Sequence, residues 1–146
     1  MKFETLAVHA GHTPDLTTGG ITPPIHLSTN FERAEDGSYP RGFIYARNGN
    51  PTREALEDCL AVLEGGAAAS AFASGSAATM AVFQALSPGD HVIAPVDVFH
   101  GTAQMLLGIL GSWGLETTFV DMTQLSQVEG AVRPNTRLLW VETPSN

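Results

Sequence analysis

Ala67–Leu86 reads AAASAFASGSAATMAVFQAL, twenty residues without a charge and with one tight break at Ser74-Gly75-Ser76. The stretch before the break, 67–73, has the length and apolar character of a buried strand, and 77–86 those of a buried helix. Ser87-Pro88-Gly89-Asp90 closes the segment as a turn. The same order then repeats. HVIAP (91–95) reads as a strand, Thr102–Trp113 as a helix, TTFV (117–120) as a strand and RLLWVE (137–142) as another, with a weaker helical stretch over 123–132. Short apolar strands alternating with helices predict an α/β domain, a mostly parallel sheet with helices on both faces.

Upstream, Asn50-Pro51 opens a helix, because Asn can accept from an orphan amide and Pro is pre-set for the first turn. Ala55, Leu56, Leu60 and Leu63 follow at helical spacing, Gly65-Gly66 ends the pattern, and Arg53, Glu54, Glu57 and Asp58 are left largely for solvent. From Met1 to about Phe43 the sequence shows no sustained period and many turn residues, which predicts a loop-rich N-terminal arm. Its Ile21, Ile25, Leu27 and Phe31 call for a covering surface, such as another subunit. Two parts are thus expected, an arm and oligomer-contact segment over 1–49 and the start of the α/β domain over 50–146.

Composition narrows the function. The net charge of −8, from fifteen acids and seven bases, disfavours nucleic acid and anionic membrane as partners, since both carry the same sign. Small molecules and proteins are the expected partners. The uncharged runs 65–89 and 98–115 are broken by Ser, Gly and polar residues and make poor membrane spans. The N-terminus has no signal-peptide core, which with a single cysteine, Cys59, points to a cytoplasmic protein with Cys59 buried as a small hydrophobe. His9, His12, His26, His91 and His100 have no metal-ligand spacing, so no metal is expected.

Ligands of open α/β sheets collect beyond the carboxyl ends of the strands. There the SGS turn places small residues at a strand-to-helix junction, where backbone amides can hold a phosphate; close packing accounts for the same residues equally well. Asp97–Thr102 offers Phe99 as a stacking ring, or as a core residue. Tyr45 and Arg47 in YARNGNPT (45–52) pair an aromatic ring with a fork-shaped phosphate donor, or are an exposed ring and a solvated cation. The acidic total does not forbid an anion. At about 4 Å and an effective dielectric near 20, one Arg attracts a unit negative charge by roughly 4 kcal/mol before desolvation, while exposed acids beyond about 8 Å are screened.

Taken in order, TLAVHAG (5–11), TPPIHLSTNF (22–31), YARNGNPT (45–52), ASGSAA (73–78), DVFHGT (97–102) and VETPSN (141–146) resemble the pyridoxal 5′-phosphate (PLP) enzymes of cysteine and methionine metabolism, the family that includes cystathionine γ-synthases and γ-lyases. The resemblance implies the N-terminal part of a PLP-dependent transferase large domain of the aspartate aminotransferase-like type (fold type I). It implies PLP as cofactor and elimination or replacement at the γ or β carbon of sulfur amino acids or activated homoserine esters. By the same resemblance, amides of Gly75 and Ser76 hold the cofactor phosphate of their own subunit, and Tyr45 and Arg47 hold that of a neighbour. Phe99 stacks on the pyridine, and Asn146 binds near the phenolic oxygen and the substrate carboxylate. Similar proteins are homotetramers, dimers of dimers with shared active sites.

Two positions depart from the family pattern. Residue 99 is usually tyrosine, and phenylalanine keeps the stacking area without the hydroxyl that assists leaving-group departure. Residue 76 is commonly methionine, a change that leaves a backbone contact intact. The imine lysine is absent: the only lysine is Lys2, outside every motif, and arginine cannot replace it because it stays protonated. No catalytic residue is therefore assigned within these residues, which read as the N-terminal portion of a longer enzyme. A competing expectation is that the 146 residues by themselves form a non-catalytic phosphate- or PLP-binding or assembly fragment.

Overall fold

The structure is a computed structural model that describes residues 2–145. The chain falls into two compact units, Met1–Ala71 and Phe72–Asn146.

In the first unit the structure adds a helix that the sequence pattern did not reveal, α1 (Phe3–His9), packed on α2 (Pro51–Glu64). Seven residues are too short to show a period, and α1 has no side-chain cap; Glu4 in its first turn and His9 in its last have the polarity that suits the helix dipole. Gly11, at φ 71°, follows α1, and a β-carbon there would collide with the Ala55 carbonyl oxygen and lie 2.9 Å from Cys59 Cβ. Glycine is required by both the conformation and the close approach. Cys59, expected to be buried, is a half-buried free thiol beside this turn.

Helix α2 begins and ends as its sequence dictates. The Asn50 side chain accepts from the Thr52 N–H at 2.9 Å, Pro51 is the first helical residue, and Gly65 closes the helix in the left-handed conformation at φ 66°. Glu57 differs from expectation. It is half-buried because its Oε1 accepts the Ala71 N–H at 2.8 Å and sits 3.6 Å from Arg53 Nε.

The arm before α2 is held by backbone pairing of two extended pieces. Ala46 N–H donates to the Thr29 carbonyl at 2.8 Å, Asn30 and Tyr45 form an antiparallel bridge, and the Phe31 and Phe43 rings pack 5.2 Å apart.

The second unit holds a three-stranded parallel sheet in the order β2-β1-β3, with β1 (His91–Pro95) between β2 (Glu116–Val120) and β3 (Thr136–Leu139). All of β1 is buried, as suits a central strand covered on both faces. The expected strand over 67–73 is not one. No ladder partner for this stretch exists among the described residues, and its Ala71 amide goes to Glu57 instead.

Helix α3 (Gly75–Gln84) precedes β1, and a continuous helical stretch from His100 to Trp113 is the crossover from β1 to β2. That stretch comprises α4 (His100–Met105), a π-helical turn at Leu106–Leu110 and α5 (Gly111–Trp113). The weaker helical segment is α6 (Leu125–Ala131). The core joins Phe83 of α3, Val92 and Ala94 of β1, Leu106 and Leu110 of the π turn, and Leu115, with the Trp140 ring packed, tilted, at 5.1 Å from that of Phe83. Phe83, Val92, Ile93 and Ala94 have no exposed surface.

Candidate functional site

A cavity of about 400 Å³ opens at the N-terminus of α3, lined by Ser74, Gly75, Ser76, Thr79, Phe99, Thr102 and Glu142. Ser74 caps α3: its Oγ accepts from the Ala77 N–H at 3.2 Å and its carbonyl from the Ala78 N–H at 3.1 Å. That leaves the amides of Gly75 and Ser76, which donate to no protein acceptor among the described residues. A β-carbon built on Gly75 meets nothing within 4 Å, so the space above it is open. Two free amides at the positive end of a ten-residue helix suit an anion.

The opposite wall is Phe99, the residue that caps the helix starting at His100. Its ring lies over Gly101, where an added β-carbon would stand 2.5 Å from Phe99 Cε1 and 3.2 Å from Cδ1. Phe99 is 48% exposed, which leaves part of its surface open to a ligand. Its backbone N–H donates to Glu142 Oε1 at 3.0 Å. Thr102 is almost wholly buried at the base of the cavity. The donor set and the apolar ring together match a phosphorylated aromatic ligand.

Of the residues singled out from sequence, Gly75, Ser76 and Phe99 come together around this one cavity. Tyr45 and Arg47 belong to the first unit, where the Arg47 guanidinium stacks 4.9 Å from the centroid of the Tyr45 ring. Arg47 is exposed and has no carboxylate partner among the described residues. Asn146 lies outside the described residues. Thr79, Thr102 and Glu142 were not anticipated in this role. Thr102 and Glu142 sit inside the DVFHGT and VETPSN blocks, so block membership was the available signal; Thr79 carried none.

A second polar cluster stands apart, at the amino end of β1. Buried His91 lies between two threonines, Nδ1 at 2.8 Å from Thr136 Oγ1 and Nε2 at 2.8 Å from Thr118 Oγ1. Burial lowers its pKa from the ordinary imidazole value, the nearby Arg133 cation lowers it further, and Glu116 opposes both.

The sequence profile of the Cys/Met metabolism PLP-dependent enzyme family matches residues 4–146. The chain belongs to that family. PLP is the family's cofactor, and the cavity fits its phosphate end: two unsatisfied amide donors, open space over Gly75 and an aromatic wall. Among curated relatives, the chain is 47% identical over 143 residues to a cystathionine γ-synthase of Mycobacterium tuberculosis and 42% identical over 146 residues to a cystathionine γ-lyase of Bacillus subtilis. These alignments take in 97% and 100% of the chain, and 37% and 38% of the relatives. Among solved structures, metB from Corynebacterium glutamicum superposes with a TM-score of 0.96 at 41% identity. A cystathionine γ-lyase from Lactobacillus plantarum, complexed with L-serine, does so at 0.92 and 43%. They cover 100% and 99% of the chain, and 38% of each solved chain. The α/β fold is therefore that of these enzymes, and the chain spans little more than a third of the length of the relatives it matches.

Proposed function

We propose that the gene product carrying this sequence is a PLP-dependent enzyme of transsulfuration, eliminating or replacing a substituent at the γ or β carbon of a sulfur amino acid or activated homoserine ester, with cystathionine γ-synthase or γ-lyase activity. One observation carries the reading. The amides of Gly75 and Ser76, unpartnered among the described residues, and half-exposed Phe99 line a single cavity, in a chain whose relatives are named cystathionine γ-synthase and γ-lyase.

PLP, when bound, supplies an electron sink for carbanion chemistry. The residues of this chain bind and orient. Gly75 and Ser76 would donate their N–H groups to the phosphate, the Phe99 ring would stack on the pyridine, and Asn146, outside the described residues, would bind near the phenolic oxygen and the substrate carboxylate. Phe99 offers no hydroxyl for proton transfer, so that step falls to another group. Lys2, the single lysine here, is an exposed residue at the start of α1 in the first unit and is not assigned the imine.

The assembly belongs to the same proposal. Residues 1–49 form an arm that docks on a second copy, and 50–146 begin the PLP-binding domain. Tyr45 and Arg47 reach the phosphate of the neighbour, in a cytoplasmic homotetramer with shared active sites. Support comes from the apolar side chains of the arm, Leu16 at 95% exposure and Leu27 at 88%, and from Arg47, held on Tyr45 without a carboxylate partner among the described residues. Among the described residues no helix is long and apolar enough to cross a membrane.

The test is reconstitution of the natural gene product with PLP, followed by visible absorbance, borohydride reduction and peptide mapping. The expected result is an imine band and a label on a lysine other than Lys2. A label confined to Lys2 or the α-amino group refutes the enzyme and favours a fragment that only holds the cofactor.

A further inference from the structure

We propose that Glu142 is a positioning residue that sets the plane of the Phe99 ring in the cavity; this rests on the reading of Phe99 as the stacking wall. Phe99 is the N-cap of the long helix beginning at His100, and a phenyl group cannot make the side-chain bond that an N-cap ordinarily supplies. Glu142 provides the anchor from 43 residues away: its Oε1 accepts the Phe99 N–H at 3.0 Å. Its other oxygen, Oε2, stands 3.4 Å from the Trp140 indole nitrogen, and the Trp140 ring packs at 5.1 Å on fully buried Phe83. The carboxylate thus ties the cavity wall to the core through Trp140 and Phe83 of α3.

The negative charge also lies at a helix N-terminus, where the dipole favours it. Gly101 supplies the second constraint. The Phe99 ring occupies the volume that any side chain at 101 would take, with 2.5 Å to a notional β-carbon. The anchored N–H fixes the backbone from which the ring projects, and the missing side chain at 101 defines where the ring rests. Removing the carboxylate leaves the Phe99 amide without its partner and frees the segment before α4 from the exit of β3. The ring is then no longer confined to one plane.

A bound aromatic cofactor reports ring orientation through its induced visible circular dichroism, whereas its phosphate grip depends on the Gly75 and Ser76 amides. The whole gene product, reconstituted with PLP, is compared as wild type, Glu142→Gln, Glu142→Ala and Glu142→Asp. The amide of Gln keeps an acceptor oxygen at the same reach; Ala removes it and Asp shortens it. The visible dichroic band per bound PLP is expected to fall at least twofold in Glu142→Ala and Glu142→Asp and to be retained in Glu142→Gln, with PLP affinity changing less than threefold in all. Phe99→Leu is expected to lose the same band, and adding Glu142→Ala to it to cause no further loss.

A wild-type band in Glu142→Ala, or in Glu142→Asp should the alanine variant not fold, overturns the proposal even if thermal stability falls. So does equal damage in Glu142→Gln, since that would assign the effect to charge rather than to the acceptor. A wild-type protein that binds no PLP would instead fail the cofactor reading itself.

Discussion

Replacing Gly75 by proline removes one amide donor from the cavity and nothing else of consequence. Gly75 is the first residue of α3, the position where proline is best tolerated, because its missing N–H would have no helical partner. The preceding Ser74 is extended, at φ −160° and ψ 159°, the conformation that a following proline demands. A β-carbon at 75 meets no atom within 4 Å. Stability is therefore expected to hold or to rise by about 0.4–1 kcal/mol through the restricted unfolded chain. The ligand loses one hydrogen bond to a charged group, worth about 1.5–3 kcal/mol, which at about 1.4 kcal/mol per decade is a 10- to 150-fold rise in the Kd for PLP. Gly75→Ala is the control: it adds a carbon to the same open space and keeps the N–H. Both variants of the whole gene product are titrated with PLP by visible absorbance and melted in parallel. Equal Kd values for the proline and alanine variants would refute the assignment of the Gly75 amide to the phosphate.

Three further outcomes follow from local geometry. His91 has a lowered folded-state pKa, so the unfolded chain binds more protons as pH falls through about 6.5; stability is complete above that value and is lost below it. Thermal midpoints should drop between pH 7.5 and 5.5 and drop less in His91→Gln, with Glu116, Arg133 and the Asp90–Arg137 pair as the surrounding charges; an unaltered slope in His91→Gln counts against it. Phe99→Tyr restores a hydroxyl at the cavity wall and should accelerate γ-elimination by the whole gene product, and an unchanged rate would remove the leaving-group argument. Gly11→Ala forces a left-handed alanine into the Ala55 carbonyl and should cost at least about 2 kcal/mol in urea unfolding; a loss below about 0.5 kcal/mol would mean that α1 and α2 do not pack as described.

Helix α2 was legible because every signal lay within the helix or beside it: Asn50 to cap, Pro51 to start, Gly65 to stop. Strand β1 was legible over the same five residues, His91–Pro95, because a buried central strand is a short apolar run between turn signals. Residues 67–73 show the limit of an apolar count: a strand exists only through its neighbours, and among the described residues this stretch has none. At the cavity, Gly75, Ser76 and Phe99 could be singled out from their blocks. Glu142 could not be given a role, since its partner lies 43 positions away and nothing local in either segment records the bond.

The amino-acid order by itself determined what depends on near neighbours along the chain: where α2 begins and ends, the alternation that makes an α/β domain, and the run of small residues that exposes two amides at the start of α3. Tertiary structure alone decided what depends on partners distant in sequence: that Glu142 holds Phe99, that His91 is buried between Thr118 and Thr136, and that 67–73 has no ladder partner among the described residues. The difference is physical. Caps and turns are satisfied within a few residues, whereas a carboxylate, an imidazole or a strand edge takes its partner from whatever the fold brings within about 3 Å.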